Sequence, residues 1–253
     1  MNWIGFQTLF MKEIGRSKDV IIQAFLSPVI TTLLYFLVFG NAIGGHIEPL
    51  NGVPYGHFIV PGLIMMALLM NSLMAASSGM YFPRFIGTIN DFLSSPMSYL
   101  EITLGFALSA AVRALAIGAT IYAVAALFEH VSVAHPFFAL FFAFLTALVF
   151  SLLGILLGIW AKDFEQLSIV PTLFITPLSF LGGIFYSVHM LPAAWQKITF
   201  ANPIFYLIDG LRWGFFGTSD VSPWISIIIL LFLLAFAIVT LRWIFKTGYR
   251  LKS

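Results

Sequence analysis

An all-α integral membrane protein is the fold class this sequence predicts, and three observations predict it. Hydrophobic residues make up 60% of the 253 and charged residues only 9%, against about 25% charged in a soluble domain. A chain so poor in charge cannot cover a water-facing surface. Six apolar stretches, near 20–43, 57–80, 99–127, 137–160, 167–187 and 223–245, each approach the roughly 20 residues a helix needs to cross about 30 Å of hydrocarbon. The stretches are continuously apolar rather than alternating, which favours helices over barrel strands. The chain reads as one transmembrane domain over residues 1–253.

Residues 1–18 precede the first stretch. Trp3, Phe6, Phe10 and Ile14 recur at helical spacing, with Thr8, Lys12 and Arg16 opposite. This predicts an amphipathic helix lying in the interface. No small-residue cleavage pattern follows, so the first apolar stretch is expected to be a retained span rather than a signal peptide.

Lys and Arg set the orientation. With the N-terminus in the cytoplasm, nine of the twelve fall inside: Lys12, Arg16, Lys18, Arg84, Lys162, Arg242, Lys246, Arg250 and Lys252. Lys197 and Arg212 fall outside, and Arg113 lies within a span. Six spans then leave both termini cytoplasmic. Residues 81–98 become a cytoplasmic segment punctuated by Pro83 and Pro96 and long enough for a short helix. Residues 188–222 are apolar yet broken by Pro192, Asn202-Pro203, Gly210, Gly214 and Gly217. They predict re-entrant helices at the outer face, tolerated where protein covers the backbone.

Enzymatic chemistry finds little support. The dipeptide Gly-Lys never occurs, so a phosphate-binding loop is absent. Without Cys there are no disulfides or thiolate metal sites. A net charge of +2 is too small to imply nucleic acid. His46, His57, His130, His135 and His189, with Glu48 and Glu129, fall on the predicted outer face, but loops there often hold His without a metal.

Arg113 is the sharpest single residue. A charge at mid-span costs roughly 2.5–3.5 kcal/mol on insertion scales. It must face protein or a water-filled cavity, as an anion-attracting point on a path or as a tie to a polar neighbour such as Asn71. Glu101 stands at a helix start, where the macrodipole favours a carboxylate. Pro171 and Pro177, followed by Gly182-Gly183, interrupt the fifth span. Gly154 and Gly158 permit close helix approach. Phe85, Ile86, Phe92 and Leu93 are apolar in a cytoplasmic segment, which suggests burial against a partner or against the chain's own helix ends.

Two segments carry a resemblance. TINDFLSSPMSYLEITLGF (residues 88–106) resembles the cytoplasmic signature of type-2 ABC exporter permeases. FANPIFYLIDGLRWGFFG (residues 200–217) resembles the same family's outer Asn-Pro motif. The resemblance implies a homodimer in a bacterial inner membrane, paired with a separate ABC ATPase subunit that holds ATP and Mg, and no cofactor in this chain. It implies a coupling helix from about Arg84 to Ser98, including Phe85, Ile86, Asp91, Phe92, Leu93, Ser94, Ser95 and Pro96, with the interfacial helix (Trp3, Phe6, Phe10, Lys12, Arg16) as a second contact. It implies a path lined by the second and fifth spans, with Asn71, Arg113, Pro171 and Pro177 as candidates. Asn202, Pro203, Asp209 and Arg212 would form an outer gate. Drugs, lipids and lipid-linked glycans are the substrates it suggests. A secondary transporter or channel working without nucleotide is the alternative, and it would be expected to carry carboxylates well inside a span.

Overall fold

The structure, a computed structural model, describes residues 2–18, 25–43, 46, 49–50, 52–128 and 131–250. Helices dominate it, and five are long and apolar enough to cross a membrane. The N-terminal helix α1 runs Trp3–Lys18. Helix α2, Ser27–Tyr35, continues as a π-helical stretch, Phe36–Ile43. These two cover the described part of the first predicted span; residues 20–24 lie outside the described residues. Helix α3 is Tyr55–Ile86, α4 is Ile89–Ser94, α5 is Tyr99–Phe128 and α6 is Pro136–Trp160. The fifth span is α7, Phe164–Val170, a π turn, Pro171–Ile175, and α8, Thr176–Leu181. A 3-10 turn, α9 (Ala193–Ala201) and α10 (Pro203–Phe216) precede the last span, α11 (Pro223–Thr247).

Helix α3 is the hub of the bundle. It packs most extensively on α6 and then on α5, and Ile59, Met65, Leu69 and Leu73 are buried along it. The α3–α6 seam is close because Gly154 and Gly158 face the carbonyl oxygens of Leu73 and Ser77. A methyl group at either glycine would collide with those oxygens and stand 3.0 Å from the Ala76 Cβ or 3.1 Å from the Met80 Cβ. In hydrocarbon, association rests on such packing rather than on water release. The Gly-x-x-x-Gly pair is thus used within the chain.

One expectation is corrected here. Pro83 does not punctuate the chain: α3 runs through both Pro61 and Pro83 and ends at Gly87, with φ +88°. A proline removes one helical bond, but a left-handed residue stops the helix outright. In α1 the polar residues Thr8, Lys12 and Arg16 are exposed. Leu9 and Glu13 are buried, while Trp3 is 54% exposed. Helix α1 climbs along α5: a side chain at Gly5 would meet Met97, one at Gly105 would meet Leu9, and one at Gly79 would meet Arg16 and Glu13. The aromatic stripe forms as predicted, Trp3 on Phe6 at 5.3 Å and Phe6 on Phe10 at 6.2 Å between ring centroids. It lies on the flank away from the buried one, where it can meet lipid.

Candidate functional site

The end of the bundle that carries α4 is assembled from three segments. Ser98 and Glu101 form a capping box at the start of α5, the carboxylate accepting from Ser98 N–H at 2.7 Å and Glu101 N–H donating to Ser98 Oγ at 3.3 Å. The other carboxylate oxygen accepts from Asn2 N–H at 2.5 Å, and Asn2 also caps α1 through Gly5 N–H at 3.0 Å. The role of Glu101 is therefore wider than a macrodipole partner: one side chain starts α5 and ties α1 to it. Lys12 lies over the Phe92 ring at 5.0 Å, and Phe92 meets Phe106 edge-on at 5.8 Å.

These contacts divide the predicted coupling residues. Phe92 packs on its own chain, not outward. Arg84 also faces inward: its Nη1 donates to the carbonyls of Gly158 (3.1 Å) and Ile159. Arg250 donates to Trp160 O at 3.0 Å. Two cations thus close the C-terminus of α6, where the helix dipole favours them. Ser94 and Ser95 hydroxyls return to the backbone of α4, and Pro96 O accepts weakly from Asn2 Nδ2 at 3.4 Å. Asp91 is exposed. The side chain of Leu93 lies outside the described residues. Phe85 and Ile86 are the outward-facing apolar pair, 72% and 69% exposed. Phe164, the first residue of α7, joins them: Tyr81 stacks on Phe85 at 5.7 Å and Phe82 meets Phe164 at 5.7 Å. At 1.5 Å per residue the 32 residues of α3 are about 48 Å long, well beyond a hydrocarbon core of roughly 30 Å. The helix is therefore longer than the hydrocarbon alone requires, and the aromatic patch lies at its C-terminal end.

Within the bundle, Met66, Met70, Asn71 and Met74 of α3 and Ser27 and Thr32 of α2 line a groove of about 280 Å³. Asn71 Nδ2 donates to Ala67 O at 2.8 Å, so the alternative tie to Arg113 is not made. The Nε of Arg113 is buried without a hydrogen-bond partner. The fifth span is interrupted as its prolines predict. Pro171 opens the π turn, Thr176 N–H reaches back five residues to Pro171 O, and Pro177 lies in the first turn of α8. Thr176 Oγ1 also bonds Pro171 O at 3.1 Å and touches Met70 Sδ at 4.0 Å. A π turn inside an α-helix is a frequent companion of function.

At the opposite end the predicted gate residues are interior. Asn202 caps α10 by accepting from Ile204 N–H at 3.0 Å, while its Nδ2 donates to Leu178 O at 2.6 Å. Pro203 follows at the first helical position, where its missing N–H costs nothing. Asp209 is fully buried and accepts from Asp220 and Val221 N–H at 2.9 and 3.0 Å. Arg212, also buried, donates to Gly183 O at 2.6 Å, lies 3.6 Å from Asp209 and sits 3.9 Å above the Phe58 ring. Asp220 accepts from Ser187 Oγ and Val188 N–H at 2.8 and 2.9 Å. The set is a brace joining the end of α8, α10 and the loop before α11, rather than the lining of an opening. Among the described residues, no three His, Asp or Glu side chains gather as metal ligands.

Residues 5–216 match the family described as ABC-2 type transporter. "Inner membrane transport permease YadH" of Escherichia coli (strain K12) is 38% identical over 241 residues, covering 94% of each chain. The chain belongs to the ABC-2 type transporter family. "Nodulation protein J" of Rhizobium meliloti (strain 1021) is 28% identical over 215 residues, 83% of this chain and 80% of that protein. The same-named protein of Sinorhizobium fredii (strain NBRC 101917 / NGR234) is 29% identical over a similar span.

Membership makes this chain a multi-pass transport permease of an ABC system. In the ABC-2 fold as it stands here, the sequence alone missed several contributors. Glu13, Asp220 and Phe164 were not singled out. Asp220 acts through Ser187 and Val188, more than 30 residues away, which no local pattern betrays, while Glu13 pairs with Arg16 at the ordinary i,i+3 spacing and is buried by a neighbouring helix. Phe164 had a signal, a lone aromatic in the polar turn AKDFEQ, of the same kind that marked Phe85.

Proposed function

We propose that this chain is the membrane-spanning subunit of an ATP-driven exporter. It works as a homodimer on a separate ATPase and moves an amphipathic compound, lipid or glycan across a bacterial inner membrane. The α4 end is cytoplasmic, with both termini on that side and six spans counting the stretch 20–43. The single observation that carries the reading is the aromatic patch of Phe85, Ile86 and Phe164. It joins the end of α3 to the start of α7 and exposes large apolar side chains at the end of the bundle that carries α4. The ATPase would grip this patch, while α1, Lys12 and Phe92 transmit the movement to α5.

ATP binding closes the partner dimer, and the permease needs a rigid element that converts closure into a shift between two arrangements. The lock of α1 on the α4–α5 junction supplies that element. The π turn of the fifth span supplies a place where one helix can bend. The exposed faces of α2 (Ile30, Leu34) with its π-helical continuation (Leu37) and of the fifth span (Leu173, Phe174) meet lipid or the second copy. The test is reconstitution with the cognate ATPase. Phe85→Asp and Phe164→Asp should abolish stimulation of ATP hydrolysis while leaving the permease folded. Transport into vesicles holding the permease alone, driven by an ion gradient, would overturn the proposal.

A further inference from the structure

Helix α6 ends in three consecutive carbonyls, those of Gly158, Ile159 and Trp160, and they hold two guanidiniums. Arg84 takes the first two and Arg250 the third, at 3.0 Å. Arg250 lies in the left-handed region, φ 55°, an uncommon place for a side-chain-bearing residue, and this turn after α11 returns it to α6. Among the described residues, neither arginine forms an ion pair with a carboxylate. The helix end they close carries only about half a negative charge, so most of their charge is left over. Asp163 and Glu165 follow in the exposed turn with Lys162 beside them, and Asp163 accepts from Gln166 Nε2 at 3.0 Å. Arg242 and Lys246 add two exposed cations on α11.

A groove of about 480 Å³ runs along α6 from this pair. Phe150, Leu153, Leu157 and Trp160 form one wall at helical spacing, Val170 and Leu178 of the fifth span another, and α10 and α11 contribute the rest. Every residue lining it is apolar. From Phe150 to Trp160 is about 15 Å of helix, half of a hydrocarbon core of roughly 30 Å and so the depth of one leaflet. Trp160 joins groove to charge: it lines the groove, and its carbonyl holds Arg250. Trp160, Trp243 and Tyr249 are each about half exposed. The Tyr249 ring lies 5.6 Å from the Arg250 guanidinium and 5.5 Å from Trp243. Such aromatics sit at the headgroup level of a bilayer.

We infer that this groove seats one acyl chain of an anionic phospholipid whose phosphate rests on Arg250, with Arg84 on the neighbouring carbonyls. A guanidinium has five N–H donors, and the bonds to α6 use Nη1 alone in each arginine. The planar fork that remains matches phosphate oxygens. The groove itself offers no polar partner to water or to a sugar, and apolar space of this kind stays dry. Its length fits a chain entering from one leaflet, and its mouth has the sign of charge that an anionic headgroup neutralises. A zwitterionic lipid would bring its own cation to the same place. The inference needs neither an ATPase nor a direction of transport.

The test uses the full chain in phosphatidylcholine vesicles with no ATPase present, so its failure leaves the coupling test above untouched. Phosphatidylglycerol and phosphatidylcholine, each brominated near the carboxyl end of the acyl chain, are the probes. Bromine quenches a nearby indole, and the difference between the unaltered chain and Trp160→Phe isolates Trp160. Phosphatidylglycerol should be preferred by about 25-fold, or roughly fivefold for each arginine, and the preference should fade at high salt. Arg250→Gln should cut it about fivefold, while Arg250→Lys, which keeps the charge without the fork, should cut it less. Glycerol phosphate, a headgroup without a chain, should not displace the lipid. If Arg250→Gln does not fold, the Arg250→Lys and salt titrations decide. Equal quenching of Trp160 by both lipids, or an undiminished preference in Arg250→Gln, overturns the inference. So does the absence of quenching by either lipid, the result a second copy seated on the groove would give. Displacement by glycerol phosphate overturns the part played by the acyl chain.

Discussion

Gly158→Ala is the most direct probe of how this bundle is held. Its added methyl would press on the Ser77 carbonyl and stand 3.1 Å from the Met80 Cβ. The obstacle is α3 backbone, which has no rotamer to yield, so α3 and α6 must move apart. Overpacking of a close seam costs typically about 1–3 kcal/mol. Replacing a mid-helix Gly by Ala returns about 1 kcal/mol of helix propensity. The net expectation is a loss of up to about 2 kcal/mol, increasing for Gly158→Val. Gly15→Ala is the control, because nothing lies within 4 Å of that position in α1; it should be neutral or stabilising by up to about 1 kcal/mol. Denaturant-driven unfolding in mixed micelles reads both. If Gly158→Ala and Gly15→Ala shift stability equally, the seam is not the tight contact described, and the argument from close approach fails.

Other outcomes follow from the polar contacts. Arg212→Ala strands the buried Asp209 and empties the donor to Gly183 O, so it should cost about 3–5 kcal/mol in the same unfolding assay. Asn202→Ala removes a helix cap and the bond to Leu178 O, for a loss of roughly 1–2 kcal/mol and faster hydrogen exchange at the start of α10. Burial raises the Glu13 carboxyl above its ordinary value of 4.5, against the opposing pull of Arg16 and then Lys12. The folded state therefore holds that proton more tightly than the unfolded one, and the seating of α1 should weaken as pH climbs from 4.5 through the raised value. Hydrogen exchange of α1 measures it, and Glu13→Gln should flatten the dependence. Lys12→Ala should loosen α1 from α4 by about 0.5–1 kcal/mol, read as increased exchange in both.

The long spans were legible because hydrocarbon length and composition set them: α5, α6 and α11 begin and end within about two residues of the apolar runs. The Asn202-Pro203 start of α10 was legible for a local reason, since cap and first turn are neighbours in sequence. The role of Arg84 was not. Its guanidinium serves a helix end about 75 residues away, and the sequence around it looks like any basic loop. Phe92 misled for the same reason, because an apolar residue in a polar segment seeks cover without stating whose. The buried flank of α1, Leu9 and Glu13, was not legible, since amphipathicity marks an apolar and a polar face and says nothing of a neighbouring helix. The π turn was foreshadowed by Pro171 and Pro177 as an interruption, but its five-residue hydrogen bond depends on how the fifth span leans on Met70.

The seat of α1 has a consequence for biogenesis. Asn2 bonds a carboxylate 99 residues further along, so α1 leaves the ribosome before its berth exists and finds it only once α5 has been made. At synthesis rates of about 5–20 residues per second, that interval is roughly 5–20 s. Through it the Trp3–Phe6–Phe10 edge can moor the nascent helix at the lipid surface. The docking of α1 then completes the end of the bundle that carries α4.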